Sequence, residues 1–133
     1  MAAKKEPAPI KFPPDKKLAK LFARVVKIAT RFPGVEETRA YGTPAIKSSG
    51  KFLARLRSEA EGGLAIHCSF NDRDMLLFAA PDVFYVTAHY ANYPAILVRL
   101  DKVDWSAMES IVEDAWRATA KPALIKEYDS TRA

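Results

Sequence analysis

Apolar side chains recur at steps of three and four between residues 18 and 32 and at steps of two between residues 51 and 57, and this change of period decides the fold class. Leu18, Leu21, Phe22, Val25, Val26, Ala29 and Phe32 make one stripe, with Lys16, Lys20, Arg24, Lys27 and Arg31 mostly off it. The spacing predicts an amphipathic helix over 15–31, opened after Pro14 and ended by Pro33-Gly34. From Lys51 to Arg57, Phe52, Ala54 and Leu56 point one way, and Lys51, Leu53, Arg55 and Arg57 the other, as in a half-buried strand. Ser48-Ser49-Gly50 is a tight turn joining it to a short strand at 45–47. Glu61-Gly62-Gly63 turns it into another strand, with Leu64, Ile66 and Cys68 inward. Consecutive hairpins imply an antiparallel sheet.

Asn71, with Asp74 three residues on, predicts the capped start of a short helix through Leu76, Leu77 and Phe78 that Pro81 closes. Strands follow at 83–88 and 95–100, joined by the loop His89 to Pro94. Ser106 and Glu109 have the spacing of a capping box, and Met108, Ile111, Val112, Ala115 and Thr119, with Trp116 beside them, form a second helical stripe over 106–119. Lys121-Pro122 breaks it, and ALIKEY makes a short last helix. The order is helix, three strands, helix, two strands, helix, with no βαβ alternation. The expected class is therefore α+β, in two layers: one antiparallel sheet of about five strands with helices on one face. Phe22, Val26, Phe52, Leu56, Ile66, Val98, Ile111 and Trp116 are its expected core.

With 133 residues, 49% of them hydrophobic, the chain holds one domain, placed at 13–129. Lys4, Lys5, Pro7, Pro9 and Lys11 make residues 1–12 a basic arm expected to be flexible, and 130–133 a tail. Cys68, the single cysteine, can form neither an internal disulfide nor a cysteine-rich metal cage. No apolar run reaches the ~18 residues of a membrane span, and no apolar segment follows the first lysines. The expectation is a cytoplasmic chain without metal, cofactor or membrane, monomeric or weakly dimeric.

The net charge of +5 is unevenly spread. Residues 1–34 hold nine basic and two acidic groups, 35–57 five and two, and 58–133 seven and twelve. Such asymmetry favours a polyanion at one surface. Strand parity places Lys47, Lys51, Arg55, Arg57, His67 and Arg99 on the face opposite the apolar one, among Leu53, Tyr85 and Leu97. These residues can hold phosphates and pack against something flat. The arm and the basic side of the first helix, with Lys16, Lys20, Lys27 and Arg31, are a second candidate, and the same open sheet would also suit a protein-interaction or chaperone-like module. Nothing points to catalysis: His67 and Cys68 are strand neighbours and face opposite ways, Glu109, Glu113 and Asp114 read as a solvated helix face, and no phosphate-cradling glycine loop is present.

Three segments, GVEETRAYGTPAIKSSGKFLARL, PDVFYVTAHYANYPAILVRLDKVD and EDAWRATAKPALIKEYD, together resemble the MmcQ/YjbR family of small bacterial proteins, a likeness that runs from Leu18 to Asp129. The resemblance implies a two-layer fold of antiparallel sheet and helices, similar to bacterial secretion chaperones and frataxin-like proteins. It also implies a non-catalytic DNA-binding role.

Overall fold

The protein is described by a computed structural model over residues 16–40, 42–57 and 63–132, so the arm expected at 1–12 lies outside the described residues. In chain order the elements are α1 (Lys16–Ala29), β1 (Val35–Ala40), β2 (Thr43–Ser48), β3 (Lys51–Leu56), β4 (Gly63–His67), α2 (Phe70–Ala79), β5 (Phe84–Tyr85), β6 (Ala95–Arg99), α3 (Trp105–Thr119) and α4 (Pro122–Arg132). A single 3-10 turn at Ala88–Tyr90 lies between β5 and β6.

The strands form one antiparallel sheet in the order β1-β2-β3-β4-β6-β5, which gives the expected α+β class six strands instead of about five. The added strand is β1, a segment to which the apolar spacing assigns no element. Its VEETRA segment has no buried residue, because an edge strand needs no apolar alternation. Between β2 and β3, Ser49 and Gly50 both have positive φ, 50° and 79°, as a type I′ hairpin requires. At the other edge β5 is two residues long, shorter than the six expected. The chain leaves the sheet there and returns through the 3-10 turn.

The main core gathers Phe22, Val25 and Ile28 from α1, Met108, Val112 and Trp116 from α3, and Ile46, Ala54, Leu56, Leu64, Ile66, Ile96 and Val98 from one face of the sheet, here called the inner face. Each fully buried aliphatic or aromatic side chain contributes about 1.5–3 kcal/mol. Val26, expected in this core, is half-buried against it. Phe52 departs further. Ile46 pairs with Ala54 but Lys47 pairs with Phe52, so Leu53 is an extra residue, a β-bulge. The bulge turns Leu53 into the main core and sends Phe52 to the outer face, exchanging the places that strict alternation assigns them.

Both later helix caps differ from expectation. The Ser69 hydroxyl accepts from the Asp72 amide at 3.1 Å and starts α2 ahead of Asn71. Asp104, not Ser106, caps α3 by accepting from the Ser106 amide at 3.0 Å. At the far end Trp116 stacks on Phe32 at 4.9 Å, meets Tyr128 of α4 at 5.0 Å and donates its indole N–H to the Pro33 carbonyl at 2.9 Å. This docking carries α4 on through Arg132, into the segment read as tail.

Candidate nucleic-acid interface

Pairing sets Ala45, Arg55, Ala65, Leu97 and Tyr85 in one row across the outer face. That face is not open. Tyr90, 6% exposed, sits on Ala65, Ala95 and Leu97, with Phe52, Tyr85 and Val86 around it. Arg55 is buried beneath this cluster, 8% exposed, donating to the Thr43 hydroxyl at 3.2 Å and to the Tyr90 hydroxyl at 3.1 Å. A guanidinium held this way serves the interior.

The other residues expected on this face are dispersed. Arg57 donates its amide to the Gly63 carbonyl at 2.8 Å, and Gly63 pairs with Arg99, so the two arginines flank one glycine. Their guanidinium groups lie over rings, Arg57 over Tyr90 at 5.2 Å and Arg99 over Tyr85 at 4.2 Å. A Cβ at Gly63 would collide with the Tyr85 hydroxyl and displace that ring. Lys47 is exposed and stands opposite Glu36 of β1. Lys51 pairs with Ser48, two residues from Ile46, and so has inner-face parity at the hairpin end, contrary to the expected placement. His67 is half-buried, burial lowers its pKa, and its Nδ1 has no hydrogen-bond partner among the described residues. Cys68 packs in the main core, where burial foremost, with Asp72 and Asp114 adding to it, pushes the thiol up to about 11. It is a neutral core group at neutral pH.

What closes the outer face is Arg73 of α2. One of its terminal nitrogens donates to the carbonyls of Tyr90, Tyr93 and Ala95 at 3.1, 3.0 and 3.1 Å, and the other to Ala91 at 2.9 Å. One planar guanidinium therefore pins the whole loop.

Helix α1 presents a different surface. Its sequence, KKLAKLFARVVKIA, contains no acidic residue, and Lys16, Lys17, Lys20, Arg24 and Lys27 are all exposed. Arg24, Lys27 and Arg31 line a cleft of about 350 Å³ against Trp105, Ser106 and Glu109 of α3. The Arg24 guanidinium stacks on Trp105 at 4.1 Å, and Arg31 pairs with Glu109 at 2.8 Å with both side chains more than half exposed. At a rise of ~1.5 Å per residue Arg24 and Lys27 stand about 4.5 Å apart along the helix, and Arg31 follows two residues beyond its end. The sequence alone does not mark Trp105 for this cleft, and it shows Arg24 only as a cation off the apolar stripe. Arg24 was findable, three residues before Lys27 and seven before Arg31, whereas only the packing of α1 on α3 brings Trp105 alongside.

Among the described residues no group of three or more His, Cys, Asp and Glu is arranged to hold a metal ion, and no helix is long and apolar enough to cross a membrane. The YjbR family profile matches residues 30–118, which span the sheet, α2 and most of α3 and stop short of α1. An uncharacterized protein of Mycobacterium tuberculosis and one of Mycobacterium bovis are each 29% identical to this chain over 92 residues, covering 67% of this chain and 71% of the relative. No solved structure matches the chain.

Proposed function

We propose that this chain, which belongs to the YjbR family, is a non-catalytic DNA-binding protein that grips the phosphate backbone along α1 and its cleft with α3. The observation that carries the reading is the exposed row Lys16, Lys17, Lys20, Arg24 and Lys27 on a helix without a carboxylate. Among the described residues none of its lysines forms an ion pair, so bound phosphates displace counterions and not protein partners. The stack of Arg24 on Trp105 holds one cation in place ahead of binding, which lowers the entropy cost of ordering it. The sheet supports this reading less, because Arg55, at the centre of its row, is buried beneath Tyr90 and donates to Thr43 and Tyr90.

Titration of duplex and single-stranded oligonucleotides at two salt concentrations tests it. Each neutralised phosphate contributes about −0.9 to the log-log salt slope. Lys20→Glu/Lys27→Glu should therefore flatten the slope by about 2 and weaken low-salt binding by at least tenfold. Arg99→Glu should change both little. Loss of binding in Arg99→Glu alone would move the interface to the sheet, and wild-type protein that binds no oligonucleotide would end the nucleic-acid reading.

A further inference from the structure

Helix α2 contains Phe70, Met75, Leu76, Leu77 and Phe78, yet none of its residues is fully buried. Met75 is 69% exposed and Phe78 90%. Three residues apart, they are neighbours on one helix surface. Met75, though not Phe78, also lines a groove of about 430 Å³ between α2 and α3, together with Cys68, Asp72, Ile111, Asp114 and Ala118 among others. Its α3 wall runs from Ala107 to Ala118, about 16 Å or three helical turns. The two carboxylates on its walls are close enough for Asp72 to raise the pKa of Asp114, after burial as the larger cause. No lysine or arginine lines the groove among the described residues. The guanidinium groups of Arg73 and Arg117 spend their hydrogen bonds elsewhere, Arg73 on the loop carbonyls and Arg117 on Glu113 and Asp129, although Arg117 still acts on Asp114 at longer range, as the smallest influence on its pKa.

We infer that the α2–α3 groove is a docking site for a partner protein's amphipathic helix, one whose apolar stripe is flanked by lysine or arginine. The charge selects this occupant. Phosphates are repelled by Asp72 and Asp114, and an acidic or wholly apolar helix would leave two carboxylates desolvated without a partner. A basic helix pairs both while its apolar residues cover Met75 and Phe78. The extent of the surface argues in the same direction, because a small ligand filling the groove would leave Phe78 in water. Laying an apolar helix face into a two-helix groove is a recurrent mode of recognition. The site is independent of the α1 cleft: its lining residues Ala107, Ile111, Asp114 and Ala118 lie on a different side of α3 from Glu109, which faces Arg31.

The test uses the full chain and an 18-residue peptide designed as a Leu/Lys amphipathic helix, with a Leu/Glu peptide of the same pattern as control. Binding is read by anisotropy of the labelled peptide and by methyl NMR of Met75, Ala107, Ala115 and Ala118, with buried Met108 as internal reference. The Lys peptide should shift the groove methyls and the Glu peptide should not. Asp72→Asn/Asp114→Asn should weaken binding at least fivefold, and Met75→Ser/Phe78→Ser, at exposed positions that leave folding intact, at least tenfold. At 200 mM salt, where long-range charge effects are screened, Lys20→Glu/Lys27→Glu should leave peptide binding unchanged, which separates this site from the DNA reading. Equal binding of both peptides, shifts confined to other surfaces, or full affinity in the Met75/Phe78 variant would overturn the proposal. Self-association without peptide that the same substitutions abolish would also overturn it and give the groove to a second copy of the chain.

Discussion

Arg55 is the residue at which sequence and structure diverge most. Strand parity is correct in turning it away from the main core, but parity alone cannot tell solvent from a second apolar cluster. Tyr90 arrives from 35 positions away and covers it. As a surface cation Arg55 would be replaceable at no cost in stability. Buried and donating to two hydroxyls, it leaves Thr43 and Tyr90 short of a partner when removed. Arg55→Met should therefore cost about 2–3 kcal/mol, lowering the thermal midpoint by about 5–10 °C, while DNA affinity stays at the wild-type value. A midpoint that holds while DNA binding falls would return Arg55 to the interface. Lys51 was misplaced for a related reason: the extra residue Leu53 resets the alternation, and a bulge leaves no mark in a run such as KFLARL, where apolar residues lie on both parities.

Elements with strong periodicity were legible and those held by tertiary contacts were not. Helices α1 and α3, strands β3, β4 and β6 and the Ser49-Gly50 hairpin follow from apolar spacing and turn chemistry, which are local. Strand β1 exists because β2 offers it an edge, and α4, legible as the short helix at ALIKEY, runs on to Arg132 because Trp116 and Phe32 receive Tyr128. The loop His89 to Pro94 is the clearest such case, since its position depends on one distant side chain. Arg73 makes four donations to its carbonyls, and a lysine ammonium cannot reproduce that planar fork. Arg73→Lys should lower the local opening free energy of the loop by about 2 kcal/mol, seen as exchange of the Tyr93 amide accelerated about 30-fold with global stability much less affected. Exchange at the wild-type rate would show that Tyr90 packing alone holds the loop. On the candidate interface, the sequence disclosed the cations of α1 but not their relation to Trp105, because that relation comes from packing α1 on α3.

At the scale of the whole molecule the net charge of +5 conceals two surfaces of opposite sign, a basic α1 edge and a groove bearing Asp72 and Asp114. Such a dipolar arrangement orients a polyanion before contact, so the groove should influence DNA binding without touching DNA. The Debye length is about 10 Å at 0.1 M salt and about 20 Å at a quarter of that concentration. A helix is ~10–12 Å across with its side chains. The groove carboxylates therefore act on a duplex beyond α3 mainly at low salt. Asp72→Asn/Asp114→Asn should tighten DNA binding by about two- to threefold at 25 mM salt and not measurably at 200 mM, with the gain chiefly in the association rate. A gain that persists at 200 mM would mean that DNA lies within a few ångströms of Asp72 and Asp114. In that case the duplex occupies the groove side of α3, and the α1 assignment fails even if α1 charge reversal also weakens binding.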